Sequence, residues 1–413
     1  MLRFENNNPF VEDVALHDIN NVCKTPFYIY SQSIIINKVK ELKSILGKNI
    51  FFSVKSNSNQ AILKLMQSLD IGADVVSIGE LKRSLSAGFD PSKIIFEGVG
   101  KSKHDLLFAM QQNIRLINTE SLEEIRLLES LAKEKNKKID IGVRLNPDID
   151  GGSISKISTG KKTDKFGIEV IEINNIISLV KNCKNLNLVS ISCHIGSQIS
   201  NVDAFKNTFR AMKEAADKFI EAGLNIKHVD LGGGFHVRYN DSDPELNMIK
   251  VKKELDHCFS NVNYELSFEP GRYLIAEAGL LVTSIITRKQ NGGINYLIVD
   301  AGMNTLIRPA MYNAHHDIEA INKTSDNLIN YTIAGPICES SDIFLKNTEL
   351  SEQHVDDLLI IKNTGAYGKV MSSNYNSRVL PSEVLVHNDK FAIIYESEKI
   401  ENFIEQDIVP SWL

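Results

Sequence analysis

The sequence lacks the cysteine pairs that would hold a small secreted domain together or bind a structural metal. Its 413 residues include five cysteines, and no two of them are spaced as CxxC, so neither a disulfide framework nor a zinc site is predicted. No apolar run approaches the ~20 residues that a helix needs to span a bilayer. Acidic residues outnumber basic ones, 52 to 46, which leaves no basic footprint for a nucleic acid. We therefore expect no metal, no membrane and no nucleic-acid partner.

The N-terminal sequence also lacks the features of a secretion signal. MLRFENNNPFVEDV carries acidic residues and asparagine, whereas a signal peptide begins with basic residues followed by an apolar run. Hydrophobic residues make up 43% of the chain and charged residues 24%, as in an ordinary globular protein. We expect a reduced, cytoplasmic protein that is long enough for two domains.

Between residues 49 and 271 the sequence alternates between two periods. Segments with helical spacing, most clearly DAFKNTFRAMKEAADKFI, separate most of the short runs that are rich in β-branched residues. These runs are IFFSVK, ADVVS, IIFEG, RLINT, IDIGVRLN, LVSISCHIG, HVDLGGG and YELSFEPG. Alternating strands and helices predict a parallel sheet, and eight strands are the number of a (β/α)8 TIM-like barrel. An open doubly wound sheet is the alternative, but no GxGxxG motif opens a helix after the first strand.

After residue 271 the helical spacing gives way to β-rich sequence. LLVTSIITRK, the turn QNGG and INYLIVDAG predict a β-hairpin, because Asn-Gly favours a tight turn. NLINYTIAG, LLIIKNTGA, SEVLVHN and KFAIIYES follow. We predict a barrel over residues 32–277, followed by a C-terminal β-sandwich or β-barrel domain over 278–413. Residues 1–31, which include TPFYIYS, are expected to join the β domain.

Several chemically distinctive residues fall at the ends of predicted barrel strands, where such barrels place their active sites. Lys55 ends the first strand, His194 the sixth, Gly232–Gly234 the seventh and Glu269–Arg272 the eighth. Taken singly, each has a simpler explanation: a solvated lysine, a core histidine, a glycine turn, an ion pair at a strand end. Taken together, they favour one small-molecule site.

The chemistry of these groups fits an anionic, aromatic cofactor that carries an aldehyde. Backbone N–H groups of Gly232–Gly234 can close around a phosphate. A desolvated lysine such as Lys55 can form a Schiff base. Glu269 could hold a pyridine nitrogen protonated, and His194 could stack on the ring. Pyridoxal 5'-phosphate needs all of these features.

The motifs together resemble the barrel-type pyridoxal-phosphate decarboxylases, most closely the branch that acts on diaminopimelate. They are VKSN, CHIGSQI, DLGGG, EPGR, DAGMNTLIRPAMYNAHH, GPICESSD, and GAYG followed by SSNYNSR. The resemblance runs from about residue 25 to the C-terminus. It implies a barrel followed by a β domain, pyridoxal phosphate as cofactor and an amino acid as substrate.

The resemblance also implies a role for each matching position on the cofactor side of the site. Lys55 corresponds to the Schiff-base lysine, His194 to the ring-stacking residue and Glu269 to the partner of the pyridine nitrogen. The phosphate-side residues are Gly233, Gly234, Pro270, Gly271 and Arg272.

On the substrate side the resemblance implies a second group of residues. Cys338 corresponds to the proton donor, Glu339 to the residue that takes the distal amino group, and Tyr367 to a contact with cofactor and substrate. Those matching the distal-carboxylate residues are Arg272, Arg308 and Tyr312. Because Cys338 and Glu339 reach into the partner's site in this family, a homodimer with shared active sites is implied.

Charge supports diaminopimelate as the substrate. Its second amino-acid head needs a cation for the carboxylate and an acid for the amine, and Arg308 with Glu339 supply that pair. Ornithine has no distal carboxylate, and the resembling ornithine enzymes carry an aspartate where this chain has Glu339. The simpler explanations are a domain-interface salt bridge for Arg308 and a buried apolar thiol for Cys338.

Three alternatives remain open at this stage: an ornithine- or arginine-type decarboxylase of the same fold, a racemase, or a non-catalytic homologue that binds pyridoxal phosphate. A racemase is expected to place a tyrosine where this chain has Cys338. Two departures from the family pattern lie near the expected phosphate. They are Phe235-His236 after the three glycines and Lys369-Val370 after GAYG.

Overall fold

The computed structural model describes residues 1–5, 8–152, 159–160, 163–322 and 327–413. Among these residues, no helix is both long and apolar enough to cross a membrane. The chain divides into two compact units. The barrel unit consists of Lys38–Arg238 and Pro244–Leu274, and the β unit consists of Met1–Asn37, Tyr239–Asp243 and Ile275–Leu413.

The N-terminal segment forms short strands and two helices. In chain order these are β1 (Leu2–Glu5), β2 (Asn8–Val11), β3 (Val14–Ala15), α1 (Leu16–Val22), β4 (Phe27–Ser31) and α2 (Gln32–Leu46). Strands β1 to β3 form a small antiparallel sheet. Strand β4, from the TPFYIYS segment, is buried at every position and belongs to the large sheet of the β unit.

The barrel unit contains the eight parallel strands that the sequence predicts. They are β5 (Phe51–Ser53), β6 (Gly72–Val75), β7 (Ile94–Phe96), β8 (Leu116–Thr119), β9 (Ile139–Asn146), β11 (Leu186–Ser192), β12 (His228–Asp230) and β13 (Glu265–Ser267), with the short β10 (Ile168–Glu169) beside β9. The N–H of Phe51 donates to the carbonyl of Phe268 at 2.8 Å, which joins the first strand region to the last. The predicted (β/α)8 barrel is therefore confirmed.

Helices follow the barrel strands as predicted. They are α3 (Gln60–Ser68), α4 (Ile78–Ser86), α5 (Lys103–Gln112), α6 (Leu122–Glu134), α7 (Ile173–Asn182), α8 (Val202–Glu221), α9 (Met248–Cys258) and the short α10 (Arg272–Ile275). Polar side chains cap most of their N-termini: Ser102, for example, forms a reciprocal capping box with Asp105. The apolar residues predicted on one face of α8 are all buried: Phe205, Phe209, Met212, Ala216 and Phe219.

The barrel interior is apolar near the starts of the strands and polar near their ends. Phe51, Ile95, Leu116 and Val189 form a buried apolar cluster. Gly72 makes room for it, because a Cβ at that position would lie 2.2 Å from the Phe51 ring. The buried polar residues near the strand ends include Asp74, Glu97, Asn118, Arg144, Ser192, Asp230, Ser267 and Glu269.

The β unit is built on a mixed nine-stranded sheet that includes β4. Its other elements are β14 (Gly279–Asn291), β15 (Ile294–Val299), α11 (Arg308–Tyr312), β16 (Ile318–Ala320), β17 (Leu328–Ala334), β18 (Ile343–Ser351), β19 (Leu358–Ile361), β20 (Ser382–His387), β21 (Lys390–Tyr395) and α12 (Ile400–Gln406). The predicted hairpin is β14–β15. Its turn consists of Gly292 and Gly293 alone, at φ values of +54° and +80°, as a two-residue hairpin loop requires.

Candidate active site

Lys55 lies just beyond the end of β5, with its amine beside a buried carboxylate. Its Nζ is 3.3 Å from Oδ2 of Asp74, whose side chain is fully buried, while the Lys55 side chain is 38% exposed. The Ser53 hydroxyl donates to the same oxygen at 2.8 Å. The buried carboxylate of Asp74 therefore holds the partly exposed amine of Lys55 at the barrel rim.

His194 follows β11 and faces the glycine loop. Its Nδ1 accepts a hydrogen bond from the N–H of Gly233 at 3.3 Å. Desolvation lowers the pKa of His194 well below its usual value, and the charges of Lys55 and Arg144 lower it further. The ring is consequently neutral at physiological pH and presents a flat, uncharged face.

The glycine loop is anchored from below by Asp230, the last residue of β12. Oδ1 of Asp230 accepts the Gly232 N–H at 2.7 Å, and Oδ2 accepts the Ser267 hydroxyl at 2.5 Å. Burial raises the pKa of Asp230 to about 7. The aspartate in DLGGG thus fixes the start of the turn, a role that the sequence analysis did not assign.

Close backbone approach explains why the loop is made of glycine. Gly232 and Gly234 have φ values of +68° and +79°, which residues with a Cβ rarely adopt. A Cβ at Gly233 would lie 2.3 Å from the Glu269 carbonyl oxygen, and one at Gly234 would lie 2.3 Å from that of Gly196. The Gly233 and Gly234 backbone therefore packs directly against the backbone carbonyls of Glu269 and Gly196, with no room for a side chain.

One carboxylate oxygen of Glu269 is buried and unsatisfied within the described part of the chain. Among the described residues nothing hydrogen-bonds its Oε1, although buried polar atoms are almost always satisfied. Burial raises the pKa of Glu269 well above its usual value, and the charges of Asp230, Asp74 and Glu97 raise it further. The carboxyl group is suited to share a proton with a ligand nitrogen.

The rest of EPGR packs tightly beside these groups. The Pro270 carbonyl accepts the Ser53 N–H at 3.2 Å. A Cβ at Gly271 would lie 3.0 Å from the Cβ atoms of Ser53 and Ser56. Arg272 is buried and donates from Nη2 to the Ser197 hydroxyl at 3.1 Å. In the barrel unit the structure therefore brings all the predicted cofactor-side residues to one rim.

A second layer of charged residues lies inside the barrel and was not predicted from the sequence. Burial raises the pKa of Glu97. The Arg144 guanidinium lowers this pKa, whereas the negative charges of Asp74 and Glu120 raise it further. Arg144 in turn donates to Glu120 Oε1 at 3.2 Å. The signal in the sequence was a single charge within or after an apolar run, as in ADVVS, IIFEG, GVRLN and HVDLG.

The departure at Phe235 has a packing explanation. Its ring is buried, stacks on Phe205 of α8 at a centroid distance of 5.5 Å and meets Tyr273 edge-on at 5.8 Å. A large residue here ties the end of the glycine loop to the outer helix. The neighbouring His236 is half-buried.

In the β unit, Arg308 begins helix α11 and is held by two rings. Its Nη1 lies 2.7 Å from Nε2 of His316, and its guanidinium carbon lies 4.5 Å from the centroid of Tyr239. Nδ1 of His316 is 2.7 Å from the Lys362 carbonyl, which can only accept, so Nδ1 carries the proton and Nε2 accepts from Arg308. Tyr312 ends the same helix and is half-buried.

Cys338 and Glu339 lie in the loop between β17 and β18, and both are exposed. The loop has a fixed base, because buried Asp342 accepts the N–H groups of Met303 and Ile337 at 2.6 and 2.7 Å. The Tyr375 hydroxyl donates to Oε1 of Glu339 at 2.6 Å. Within this chain Cys338 is therefore not the buried apolar thiol of the simpler explanation.

Tyr367 lies on a third segment of the β unit. It is half-buried with a φ of +55°, and Gly365 before it donates to the Ala276 carbonyl at 3.1 Å. The Nζ atom of Lys369, in the second departure, lies 3.9 Å from the ring centroid of Tyr395. Lys369 is thus engaged with β21, the last strand of the sheet.

The comparison with protein families defines the class to which this barrel and site belong. A model for the pyridoxal binding domain of pyridoxal-dependent decarboxylases matches residues 32–276. The match spans more than half of the chain. The chain belongs to the family of pyridoxal-dependent decarboxylases.

Relatives at full length narrow that class to diaminopimelate decarboxylases. The chain is 37% identical to the diaminopimelate decarboxylase of Zymomonas mobilis, with 99% of each chain covered. It is similar to the crystal structure of the M. jannaschii enzyme in complex with L-lysine, at 32% identity, a TM-score of 0.93 and coverage of 100% and 99%. For the Helicobacter pylori enzyme in complex with L-lysine the values are 34%, 0.91, 94% and 98%. The resemblance found in the motifs is confirmed.

Proposed function

We propose that this protein removes one carboxylate of meso-2,6-diaminopimelate and releases CO2 and L-lysine, with pyridoxal 5'-phosphate held on Lys55. The full-length similarity to diaminopimelate decarboxylases supports the reaction. The observation that carries the cofactor assignment is the buried Oε1 of Glu269, to which no described residue donates, on the same rim as Lys55 and the glycine loop. The resemblance implies the D centre as the site of attack.

The residues of the barrel unit fit the cofactor. Lys55 Nζ would hold its aldehyde, Gly233 and Gly234 with Pro270–Arg272 would line its phosphate, and Glu269 would face its ring nitrogen. His194 is neutral, so it would lie against the ring without repelling a proton on the ring nitrogen. When bound, pyridoxal phosphate supplies an electron sink for the charge left by departing CO2.

The chain's own residues manage the proton. Breaking the bond to the carboxylate leaves an electron pair on the substrate carbon, and a proton must return there. We assign this proton to Sγ of Cys338, because a thiol can act as a general acid. Lys55 Nζ, which lies next to the Asp74 carboxylate, would take up or give off a proton as its own bond to the cofactor breaks or re-forms.

The residues of the β unit would select the substrate. Arg308 and Tyr312, together with Arg272, would bind the distal carboxylate, and Glu339 would bind the distal ammonium group. Tyr367 would contact cofactor and substrate. A bidentate arginine–carboxylate contact discriminates strongly against substrates that lack the carboxylate, which disfavours ornithine.

We also propose a homodimer with shared active sites. Cys338 and Glu339 are exposed on a loop with a fixed base, as expected of residues that complete a site on another copy. Residues 32–277 would then hold the cofactor, and residues 1–31 with 278–413 would supply the substrate contacts and the dimer interface.

The proposal is tested by adding pyridoxal phosphate to the purified protein and measuring lysine formed from meso-diaminopimelate. A Lys55→Ala variant should lose the visible absorbance of the lysine-bound cofactor together with the activity. Lys250→Ala, which alters an exposed lysine, is the matched control. Lysine formation that survives Lys55→Ala, or wild-type protein without either signal, would overturn the proposal.

A further inference from the structure

One motif of the β unit has no role in the proposed mechanism, although it contacts Cys338 and Glu339 of the proposed site. This segment, residues 372–378 (SSNYNSR), is here called the clamp loop. The Tyr375 hydroxyl donates to Oε1 of Glu339 at 2.6 Å. Oδ1 of Asn376 accepts the backbone N–H of Cys338 at 3.3 Å.

The clamp loop adopts a backbone that carries a conformational cost. Asn376 and Ser377 both lie in the left-handed region, at φ values of +56° and +53°. Such conformations cost free energy for residues other than glycine and persist where the surroundings enforce them. The N–H of Ser373 donates to the carbonyl of buried Asn304 at 2.8 Å, which fixes one end of the loop.

The loop that carries Glu339 does not depend on the hydrogen bond between Tyr375 and Glu339 for its fold. Asp342 fixes its backbone through Met303 and Ile337, as described above. Tyr375 therefore acts on the carboxylate of Glu339 and not on the path of the chain. An exposed glutamate side chain samples several rotamers, and one hydrogen bond from a tethered ring restricts them.

We propose that Tyr375 is a positioning residue for Glu339 and thereby determines specificity for substrates that carry a distal ammonium group. This inference rests on the proposed function, in which Glu339 binds that group. With Oε1 held by the phenol, Oε2 and the remaining lone pair of Oε1 are oriented for a cation. A short O–H···O⁻ bond of this kind is among the stronger neutral–charged hydrogen bonds.

The hydroxyl keeps its proton for this role. The hydrogen bond to Glu339 raises the pKa of Tyr375 above its usual value, and the negative charge of Glu339 acts in the same direction. Tyr375 consequently remains a donor throughout the pH range of an enzyme assay.

The test is Tyr375→Phe, which removes the hydroxyl and keeps the ring. The variant is compared on meso-diaminopimelate and on D-2-aminopimelate, which has the distal carboxylate but no distal amine. For diaminopimelate we expect KM to rise about five- to tenfold with kcat changed less than about twofold, as for loss of a hydrogen bond to a charged group. For 2-aminopimelate, measured as KM or as an inhibition constant, we expect no change.

The matched control is Tyr395→Phe. Its hydroxyl also donates to a glutamate, Oε1 of Glu398 at 3.2 Å, outside the proposed site. This variant should leave both substrates unaffected. A Tyr375→Phe effect of equal size on both substrates would indicate general disruption of the loop and would overturn the positioning role, as would no effect on either.

A double-substitution cycle separates this inference from the proposed function. In a Glu339→Gln background, which removes the charge, Tyr375→Phe should add less than about twofold to KM because both residues act through one interaction. Independent, multiplicative effects would contradict the inference. If the wild-type protein does not decarboxylate diaminopimelate, the proposed function is wrong. If it does, and Tyr375→Phe leaves the KM for diaminopimelate unchanged, only the role of Tyr375 is wrong.

Discussion

At the scale of single residues, the site is a set of reactive groups held by neighbours that the motifs do not reveal. Lys55 is paired with Asp74, and the turn at Gly232 is held by a hydrogen bond from its N–H to Asp230. The reactive partners could be predicted because their chemistry is unusual at a strand end. The aspartates that hold these groups could not be predicted, because an aspartate inside an apolar run looks the same in the sequence whether it ends a strand at the surface or points into a barrel.

The Arg308–His316 pair gives a prediction at this scale. His316→Phe keeps a ring but removes the acceptor that holds Nη1 of Arg308 at 2.7 Å. We expect KM for diaminopimelate to rise about tenfold with kcat nearly unchanged, because a hydrogen bond to a charged group is lost. Steady-state kinetics with a thermal melt would measure this.

His315→Phe provides the control for that prediction. His315 is next in the chain and bonds to Asp317 at 2.7 Å instead, so its loss should leave KM within about twofold of the wild type. Equal effects from the two substitutions would show that Arg308 does not depend on His316.

At the scale of elements, turns and helix starts hold the site and the sheet in place. The glycine loop after β12 lets the backbone lie close to the carbonyls of Glu269 and Gly196. The sequence predicted this turn from three successive glycines. By contrast, β18 was not predicted, because IFLKNTELS mixes polar and apolar residues without strict alternation, and only Phe344, Leu350 and Ser351 of this strand are buried.

Gly234→Ala tests the loop. The new methyl group would lie 2.3 Å from the Gly196 carbonyl at a φ of +79°, so the loop must move. We expect affinity for pyridoxal phosphate to fall at least about tenfold, since misplaced N–H groups lose charge-assisted bonds to a phosphate. Absorbance titration of the cofactor-free protein measures it.

Gly100→Ala is the matched substitution for this test. Nothing lies within 4 Å of a Cβ at Gly100, so its affinity for pyridoxal phosphate should equal that of the wild type. Unchanged affinity in Gly234→Ala would remove the glycine loop from the phosphate site.

Glu12 ties the N-terminal segment to the start of α2 and gives a prediction about pH. Its carboxylate accepts the Ser31 hydroxyl at 2.6 Å, the Ser33 N–H and hydroxyl at 2.9 and 2.8 Å, and the Asn388 N–H at 2.5 Å. Burial alone would raise the pKa of Glu12, but these hydrogen bonds outweigh it and lower the pKa.

Because the pKa is lowered on folding, the stabilisation is present above the ordinary glutamate pKa and lost as pH falls through the folded value. Glu12→Gln should reduce the free energy of unfolding by about 1 kcal/mol at pH 7, allowing for solvent screening. Urea denaturation at pH 7 and pH 3.5 would show the difference shrinking at the lower pH. Glu41→Gln, an exposed position on α2, should show no difference, and a Glu12→Gln effect that grows in acid would contradict the account.

At the scale of the whole molecule, the order of the elements was predictable and their assembly into sites was less so. Eight β-branched runs encode eight strands because each must be buried between a helix and the barrel interior. Single charges within or after the apolar runs were visible in the sequence, but their position inside the barrel was not predictable from them. Nor could spacing assign Cys338 and Glu339 to the proposed shared site, because that role would depend on a second copy of the chain.

The central claim is the reaction itself, and the most direct measurement is CO2 release by the purified protein with added pyridoxal phosphate. Meso-diaminopimelate, ornithine and arginine are offered in parallel, and lysine is quantified as the product. The account predicts CO2 from diaminopimelate alone, with one lysine formed for each CO2. Release only from ornithine or arginine would contradict the roles of Arg308 and Glu339, and no release from any of the three would contradict catalysis.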